Sequence, residues 1–317
     1  MSVPFSGARV ALVARFNARY HRTGGALQAA LASLGCEVIA VEERTRGVNS
    51  LLGRDLGARL ATALKRHRTD IVLVFKGDHL DPSTIDALRP LTAARWLNWF
   101  PDGPHLLDLS LRIGAAYDWC FVFDSSMVAR HRALGRRAEY LAEGFDPDYH
   151  RPMAVRRAAS HRIAFVGTYE PLRAAVLTAV SDLGLAARGP GWPRGPLYGD
   201  GFVRAFAEAD VALNIHQFFG EPPDAGRYGT GANRRVFELS GIGTVQLCDA
   251  KADIHRHFRD GEEIVLFHTP QELRAAAIRL LSAPEERASL AARARVRALR
   301  EHTWRHRLEE LLTVASS

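Results

Sequence analysis

The stretch GTGANRRVFELSGIGTVQLCD, residues 229–249, places a glycine-rich loop, a helix and a strand in immediate succession. Glycine lets a backbone approach a ligand closely, and the N–H groups of a first helical turn attract phosphate. Arg234 and Arg235 oppose the helix dipole at this end, so we expect an anion between them. The alternative is an ordinary helix in which Glu238 pairs with Arg234, four residues earlier.

The same alternation of helix and strand extends outward in both directions. Short runs rich in Val, Ile and Phe alternate with amphipathic stretches of helical length, which is typical of parallel sheets covered by helices. Residues 146–160 are basic, contain two prolines and show no period, and they predict a linker. We therefore expect two doubly wound domains, residues 1–150 and 151–302. An apolar stripe within residues 303–317 predicts a last helix packed on a partner surface.

Composition limits the possible function classes. A chain of 317 residues, 47% of them hydrophobic, is long enough for two cores. The net charge of +7 favours polyanions, but the basic residues form no block, which argues against nucleic acid as a partner. The three cysteines have no zinc-binding spacing. No apolar run approaches the roughly 20 residues of a membrane helix, so we expect a cytoplasmic protein without a membrane span.

Several motifs together resemble one known family. The series N-x-R-x-F-E from Asn233 to Glu238, the ending EHTWRHRLEELL and the upstream segments HRIAFVGTYEPLR, GPGW, ADVALNIH and NWFPDGP resemble the CgeB-like glycosyltransferases, named for a spore maturation protein. This resemblance implies a GT-B fold, in which two Rossmann-like domains face each other across a cleft. It also implies a donor site on the second domain, an acceptor site mostly on the first, and a last helix that crosses back to the first.

The resemblance assigns donor-binding roles to single residues. Glu238 matches the ribose-binding glutamate, and Arg235 matches the arginine that contacts the diphosphate. Arg173 matches a family arginine, the alternative being a surface helix residue, and Trp192 is either a wall of the nucleobase pocket or a half-buried core residue. The remaining donor-side residues are Gly167, Thr168, Gly231 and Asn233.

One departure from the family pattern concerns the donor sugar. Many related enzymes carry an additional glutamate two turns before the ribose-binding one, whereas this chain reads Tyr228, Gly229, Thr230, Gly231. Contacts to the sugar are therefore expected from backbone N–H groups or from elsewhere.

The first domain offers two candidate catalytic bases. The loop NARYHRTGG, residues 17–25, follows the first strand and opens a helix on the acceptor side through Gly24 and Gly25. If the enzyme inverts the anomeric centre, His21 in this loop would deprotonate the acceptor, because neutral imidazole works near pH 7. Asp102, in WFPDGP, is the rival base and matches a family aspartate. The alternatives are a solvated loop histidine and a turn-forming aspartate.

The expected reaction is transfer of a glycosyl group from a UDP-, dTDP- or GDP-linked sugar to a hydroxyl or amine of a small molecule or glycan. Arg173, Arg235 and the helix start would stabilise the departing diphosphate in place of a metal ion, and no cofactor is expected. Retention is favoured, because the donor-side motif resembles that of retaining enzymes. The alternatives are an inactive nucleotide-binding scaffold and a transferase that acts on nucleic acid.

Overall fold

The computed structural model describes residues 5–16, 23–44, 55–155, 162–217, 219 and 228–317. The chain divides into two compact units. The first comprises Met1–Ala142 together with Trp304–Ser317, and the second comprises Glu143–Thr303. The division falls after Ala142, whereas the sequence analysis placed it after residue 150.

The first unit contains a parallel sheet of six strands in the order β2-β1-β3-β4-β5-β6. The strand order reverses between β1 and β3, which makes this pair the topological switch point of the sheet. The strands are β1 (Arg9–Ala14), β2 (Glu37–Glu42), β3 (Ile71–Phe75), β4 (Arg95–Phe100), β5 (Trp119–Val122) and β6 (Ala138–Tyr140). The helices are α1 (Thr23–Ser33), α2 (Leu56–Arg66), α3 (Pro82–Leu88), α4 (Leu107–Gly114), α5 (Val128–Ala133) and, from the far end of the chain, α11 (Trp304–Ser316).

Both faces of this sheet are buried, as the continuous apolar strands predict. Along β1, Val10 and Leu12 pack on one face and Ala11 and Val13 on the other. The last helix completes the first of these faces. Trp304 lies edge-on to Trp99, with ring centroids 5.5 Å apart, and α11 packs against α1. The predicted last helix therefore has its partner surface within the first unit.

The second unit contains a parallel sheet of five strands in the order β11-β10-β9-β7-β8, with its switch point between β7 and β9. Its strands are β7 (Ile163–Val166), β8 (Leu185–Arg188), β9 (Val211–Asn214), β10 (Gln246–Asp249) and β11 (Val265–Phe267). Its helices are α6 (Pro171–Leu177), α7 (Asp200–Ala207), α8 (Arg234–Ile242), α9 (Pro270–Ser282) and α10 (Pro284–Glu301). Two doubly wound α/β units are thus present, as the alternating pattern predicts.

The segment expected to be a linker is partly built into the second unit. Residues 146–155, its described portion, belong to that unit. The Asp146 carboxylate accepts a hydrogen bond from the backbone N–H of Asp148 (3.0 Å), and the Tyr149 hydroxyl donates to the carbonyl of Gly199 (2.6 Å). An irregular, basic segment that contains prolines can be either a packed loop or a linker. The composition of residues 146–160 therefore could not distinguish a packed loop from a linker.

No helix in the described part of the chain is both long enough and apolar enough to cross a membrane.

Candidate functional site

The start of α8 lies at the carboxyl edge of the second sheet. Asn233 occupies the cap position in an extended conformation, and Gly243 ends the helix in the left-handed conformation that glycine favours (φ 80°). The side chain of Asn233 makes no hydrogen bond to the helix it caps. Instead it exchanges two amide hydrogen bonds with Asn214, at 3.0 and 3.2 Å, which ties the helix start to the end of β9.

The glycine loop before α8 is anchored from the other side. The Thr230 hydroxyl donates to the Asp253 carboxylate (3.0 Å), and the Thr230 carbonyl accepts from the backbone N–H of Asp253 (2.9 Å). Gly231, one of the predicted donor-binding residues, follows this anchor and is buried. The loop therefore reaches the helix from a fixed position.

Within the first turns of α8, Arg235 and Glu238 face each other. Arg235 Nη1 donates to Glu238 Oε2 at 2.7 Å, and the Arg235 guanidinium lies over the ring of Phe202, 4.3 Å from its centroid. The other carboxylate oxygen, Oε1, lies 3.4 Å from both Arg234 Nε and His150 Nε2. The ion pair proposed as the alternative interpretation is therefore present, together with two further cationic or hydrogen-bonding partners.

This arrangement keeps Glu238 ionised. Burial opposes the charged form, but the charges of Arg235, His150 and Arg234 hold the pKa of Glu238 far below its usual range. Burial likewise lowers the pKa of Arg235, and Glu238 opposes that shift. The helix start thus presents a fixed carboxylate next to guanidinium groups. Each carboxylate oxygen has two lone pairs, so Glu238 can still accept hydrogen bonds from hydroxyl groups.

Arg173 bridges the switch point of the second sheet. Its Nη1 donates to the carbonyl of Thr168, just after β7, and its Nε donates to the carbonyls of Ile215 and His216, just after β9, all within 3.1–3.3 Å. Burial lowers the pKa of this arginine, and the charge of Asp249 opposes the shift. Arg173 is therefore held between the two strand ends and is not a freely solvated helix residue.

Trp192 lies at the same edge. Its indole N–H donates to the carbonyl of Gly167 (3.0 Å), and its ring is edge-on to Tyr169 with centroids 5.1 Å apart. Trp192 is half-buried. Gly189 passes so close to Gly167 that a Cβ on Gly189 would lie 2.0 Å from the Gly167 oxygen. The structure therefore brings Gly167, Thr168, Arg173 and Trp192 together around the switch point.

A buried histidine and aspartate lie beside the start of α8. His216 Nδ1 is 2.7 Å from Asp249 Oδ1, and the backbone N–H of Asn233 donates to His216 Nε2 at 3.1 Å. Both side chains are fully enclosed. No sequence motif pointed to these two residues. His216 lies two residues after the end of β9, and Asp249 is the last residue of β10. The two strands are parallel neighbours, so their carboxyl ends lie side by side, and this rule would have placed the two residues together.

The first unit carries its own charged cluster, also at the carboxyl edge of its sheet. Asp102, the predicted rival base, lies 3.1 Å from Lys76 Nζ, and Lys76 lies 3.5 Å from Asp78. Arg15 donates to Glu43 at 2.8 Å. Lys76 has a φ of 72°, a conformation that non-glycine residues seldom adopt. These five residues follow β1, β2, β3 and β4, so they surround the switch point.

Two carboxyl groups of this cluster, those of Glu43 and Asp78, influence each other's protonation. Burial raises the pKa of Glu43 to about 7; the hydrogen bond from Arg15 opposes the shift and the neighbouring Asp78 carboxyl adds to it. Burial also opposes ionisation of Asp78, but Lys76 and Glu43 keep its pKa below the ordinary value. Glu43 Oε1 and Asp78 Oδ1 are both buried without a donor among the described residues, and a proton on Glu43 would let the two carboxyl groups bond to each other. Sequence analysis selected neither residue.

The predicted acceptor-side glycines differ in their surroundings. A Cβ on Gly24 would lie 2.5 Å from the carbonyl oxygen of Arg15, whereas a Cβ on Gly25 would meet nothing within 4 Å. Gly24 therefore lets α1 begin directly against the end of β1. His21, the other predicted base, lies outside the described residues.

An open cavity of about 680 Å³ lies at the opposite edge of the first sheet, near the amino ends of β1, β3 and β4. Its polar lining includes His67, Arg68, Asp70 and Arg95. None of the residues selected from the sequence lines this cavity. We favour the carboxyl edges as the functional sites, because the chemically suited groups converge there.

Comparisons with known proteins agree with this architecture. The model of a family described as glycosyl transferase-like matches residues 155–313. Among solved structures, the chain is similar to sucrose-phosphate synthase from Thermosynechococcus elongatus, with a TM-score of 0.69, 13% identity and 98% of each chain covered. No curated protein gives a significant match.

Two further structures give the same result. Anabaena HepE, solved in complex with UDP and glucose, has a TM-score of 0.62 and 11% identity, and the alignment covers 97% of this chain and 99% of HepE. A glycosyltransferase from Rickettsia africae has a TM-score of 0.61 and 10% identity, with 97% of each chain covered. At these identities the likeness concerns the fold, and the fold is the α/β architecture of GT-B glycosyltransferases.

Proposed function

The chain belongs to the glycosyl transferase-like family, and on this premise we propose that it transfers a glycosyl group from a nucleotide-diphosphate sugar to an acceptor hydroxyl or amine. The observation that carries the proposal is the start of α8, where Arg235 and the ionised Glu238 meet beside the ends of β9 and β10. Within the family we propose that the chain belongs to the CgeB-like group, on the series N-x-R-x-F-E from Asn233 to Glu238 and the other motifs that resemble that group.

The proposed donor is a UDP-, dTDP- or GDP-linked sugar. Glu238 would accept hydrogen bonds from the ribose hydroxyls, and the first N–H groups of α8 would face the diphosphate. Anabaena HepE, which shares the fold, was solved with UDP, and this supports a uridine nucleotide as the first donor to test. Trp192, at the same edge, is the proposed wall of the nucleobase pocket.

The reaction needs stabilisation of the negative charge that develops on the leaving diphosphate. Arg235 and the dipole of α8 would supply it without a metal ion. Arg173 contributes differently, because three carbonyl oxygens already hold its guanidinium. Its contribution is a fixed positive charge at the switch point and a rigid frame around it.

The acceptor side is proposed to lie in the first unit, near Gly24, Gly25 and Asp102, with a small molecule or glycan as acceptor. We propose retention, based on the donor-side motif. If the reaction inverts the anomeric centre, Asp102 or His21 is the proposed base that deprotonates the acceptor. Asp102 lies 3.1 Å from Lys76 Nζ, which fixes the position of its carboxylate at this edge of the sheet.

Isothermal titration with UDP, dTDP and GDP tests the donor site. The wild-type protein is expected to bind at least one of them, and Arg235→Ala and Glu238→Ala are expected to weaken binding by about tenfold or more, because each removes a charge-assisted contact. Arg259→Ala and Glu262→Ala are matched controls. They remove an exposed ion pair with the same three-residue spacing in the same unit, and they are expected to bind as wild type does.

Failure of all three nucleotides to bind, with the Arg235 and Glu238 variants indistinguishable from wild type, would overturn the proposal. The absence of a carboxylate among Tyr228, Gly229, Thr230 and Gly231 keeps a second candidate, a nucleotide-binding scaffold without activity. Prolonged incubation with a panel of nucleotide sugars separates the two, because slow hydrolysis of any donor excludes an inactive scaffold.

A further inference from the structure

His216 connects three elements of the second unit through its two ring nitrogens and its backbone. Nδ1 and the backbone N–H both contact Asp249 Oδ1, at 2.7 and 2.8 Å. On the opposite side of the ring, Nε2 receives the backbone N–H of Asn233 at 3.1 Å. The histidine therefore links β9, β10 and the cap residue of α8.

The partners of the ring determine where its proton lies. A backbone N–H can only donate, so Nε2 must carry a lone pair. The Asp249 carboxylate can only accept while ionised, so Nδ1 must carry the proton. The neutral imidazole protonated at Nδ1 satisfies both contacts. An imidazolium would place a second N–H against the N–H of Asn233 and would break that hydrogen bond.

Among the described residues, His216 Nε2 is the hydrogen-bond partner found for the backbone N–H of Asn233. The side chain of Asn233 is occupied by Asn214 and does not cap the helix. On β10, burial raises the pKa of Cys248 well above its ordinary value, so its thiol remains neutral. Two charged groups contact His216. One is Asp249, and the other is Arg173 of α6, which donates to the His216 carbonyl at 3.3 Å. Lys251, after β10, adds a second positive charge near Cys248.

The contact to the Asn233 backbone is made by a buried ionisable pair, His216 and Asp249. His216 and Asp249 are both more than nine-tenths buried, and Asp249 Oδ2 makes no hydrogen bond to any described residue. An unsatisfied buried carboxylate oxygen costs stability. The compensating contact is the one that orients the Asn233 backbone, immediately before the N–H groups proposed to receive the diphosphate.

We propose that His216 is a positioning residue of the donor site: as a neutral imidazole held by Asp249, it fixes the Asn233 backbone and thereby the phosphate-binding start of α8. This inference rests on the proposed function. Donor binding then requires the unprotonated Nε2, and it weakens on acidification when His216 takes up a proton.

The first experiment needs no ligand. Nitrogen-15 NMR of histidine-labelled protein, with the His216 signals assigned by their loss in His216→Gln, reports the protonation of each ring nitrogen. The expected result at about pH 8 is a protonated Nδ1 and a bare Nε2. On acidification, the protection factor of the Asn233 amide, which corrects for the pH dependence of intrinsic exchange, should fall as Nε2 becomes protonated. A ring protonated at Nε2 at about pH 8 would overturn the inference.

The second experiment uses UDP-glucose, whose diphosphate is esterified at both ends, stays fully ionised and does not change its charge near neutral pH. Its affinity for the wild-type protein is expected to fall by about tenfold across the pH range in which the NMR signals show protonation of Nε2. His216→Gln should bind more weakly at the higher pH and lose this acid dependence. Asp249→Asn should move the acid dependence to lower pH, because the imidazolium loses its counter-charge.

His255→Gln, an exposed histidine of the same unit, is the matched control and should keep the wild-type profile. Circular dichroism and thermal unfolding show whether each variant is folded. Equal pH profiles for wild type and folded His216→Gln would overturn the inference. If no nucleotide binds wild type at any pH, the proposed function fails, while the NMR result still decides the tautomer and the contact with Asn233.

Discussion

At the scale of single residues, Glu43 is the side chain with the clearest link between protonation and stability. The pair that it forms with Asp78 binds a proton more tightly in the folded state, where the pKa of Glu43 is about 7, than an ordinary glutamate does. Its stabilisation is therefore fully present below the unfolded pKa of about 4.5 and is lost as the pH rises through about 7.

Glu43→Gln tests this directly, because glutamine resembles the protonated acid and can still contact Arg15 and Asp78. We expect the free energy of unfolding of wild type, relative to this variant, to fall by roughly 1–3 kcal/mol between about pH 5 and about pH 8. Urea unfolding of both proteins at each pH measures it. Groups that do not interact with Glu43 titrate alike in both proteins and cancel in the difference. Parallel pH dependences would contradict the assignment of a shared proton.

Residue roles were predictable from sequence to different extents. Arg235 and Glu238 were found because both belong to one local motif, and the structure brings them into contact. Asp78 and His216 contact residues distant in sequence, so no local motif marks them and only their positions after strand ends could have indicated them. His150 was missed for a related reason, since it lies in a segment whose composition indicated a linker, yet it reaches Glu238.

At the scale of elements, the junction of β1 and α1 depends on the absence of a side chain at one of two adjacent glycines. Gly24→Ala is expected to destabilise the protein by about 1–3 kcal/mol, because the new Cβ would overlap the Arg15 carbonyl, 2.5 Å away. Gly25→Ala is the control. It has open space, and alanine favours a helix, so we expect no loss and up to about 1 kcal/mol of gain.

Thermal and urea unfolding of the two alanine variants decide this prediction. Equal effects at Gly24 and Gly25 would show that the close approach to Arg15 does not constrain the helix start. The same pair also bears on function. Since the proposed acceptor side includes this junction, a shifted α1 in Gly24→Ala should lower transfer activity more than it lowers binding of the nucleotide.

The alternation of apolar runs with amphipathic stretches predicted the alternating strands and helices of both units. In α3, Pro82–Leu88, the proline at the first helical position is the kind of sequence signal that marks a helix start. The strand β6 is three residues long, and so short a run carries almost no periodic signal. Its parallel pairing with β5 is a tertiary property.

At the scale of the whole molecule, the first unit is assembled from two separate parts of the chain. Trp304 of α11 is buried against Trp99 and Phe75, with ring centroids 5.5 and 6.3 Å away. Trp304→Ala is expected to cost roughly 3–5 kcal/mol and to unfold the first unit before the second. The control is Leu299→Ala, which truncates an exposed side chain of α10.

Tryptophan fluorescence and hydrogen exchange, followed during urea unfolding, separate the two units. Exchange should accelerate in β1, β3 and β4 of the Trp304 variant and stay slow in β7, β9 and β10. A single transition shared by both units, shifted equally, would contradict an independent first unit. The division into two α/β units was predictable from alternation, but its position after Ala142 was not, because no composition change marks it.

The discontinuity of the first unit also sets an order of events during synthesis. Every residue of the second unit leaves the ribosome before α11 does, since Glu143–Thr303 precedes Trp304 in the chain. In the complete chain, Trp304, Leu308 and Leu311 cover an apolar surface of α1, β3 and β4. Until α11 is made, that surface stays exposed. The half of the protein that begins first therefore matures last, and a chaperone would find its binding surface there.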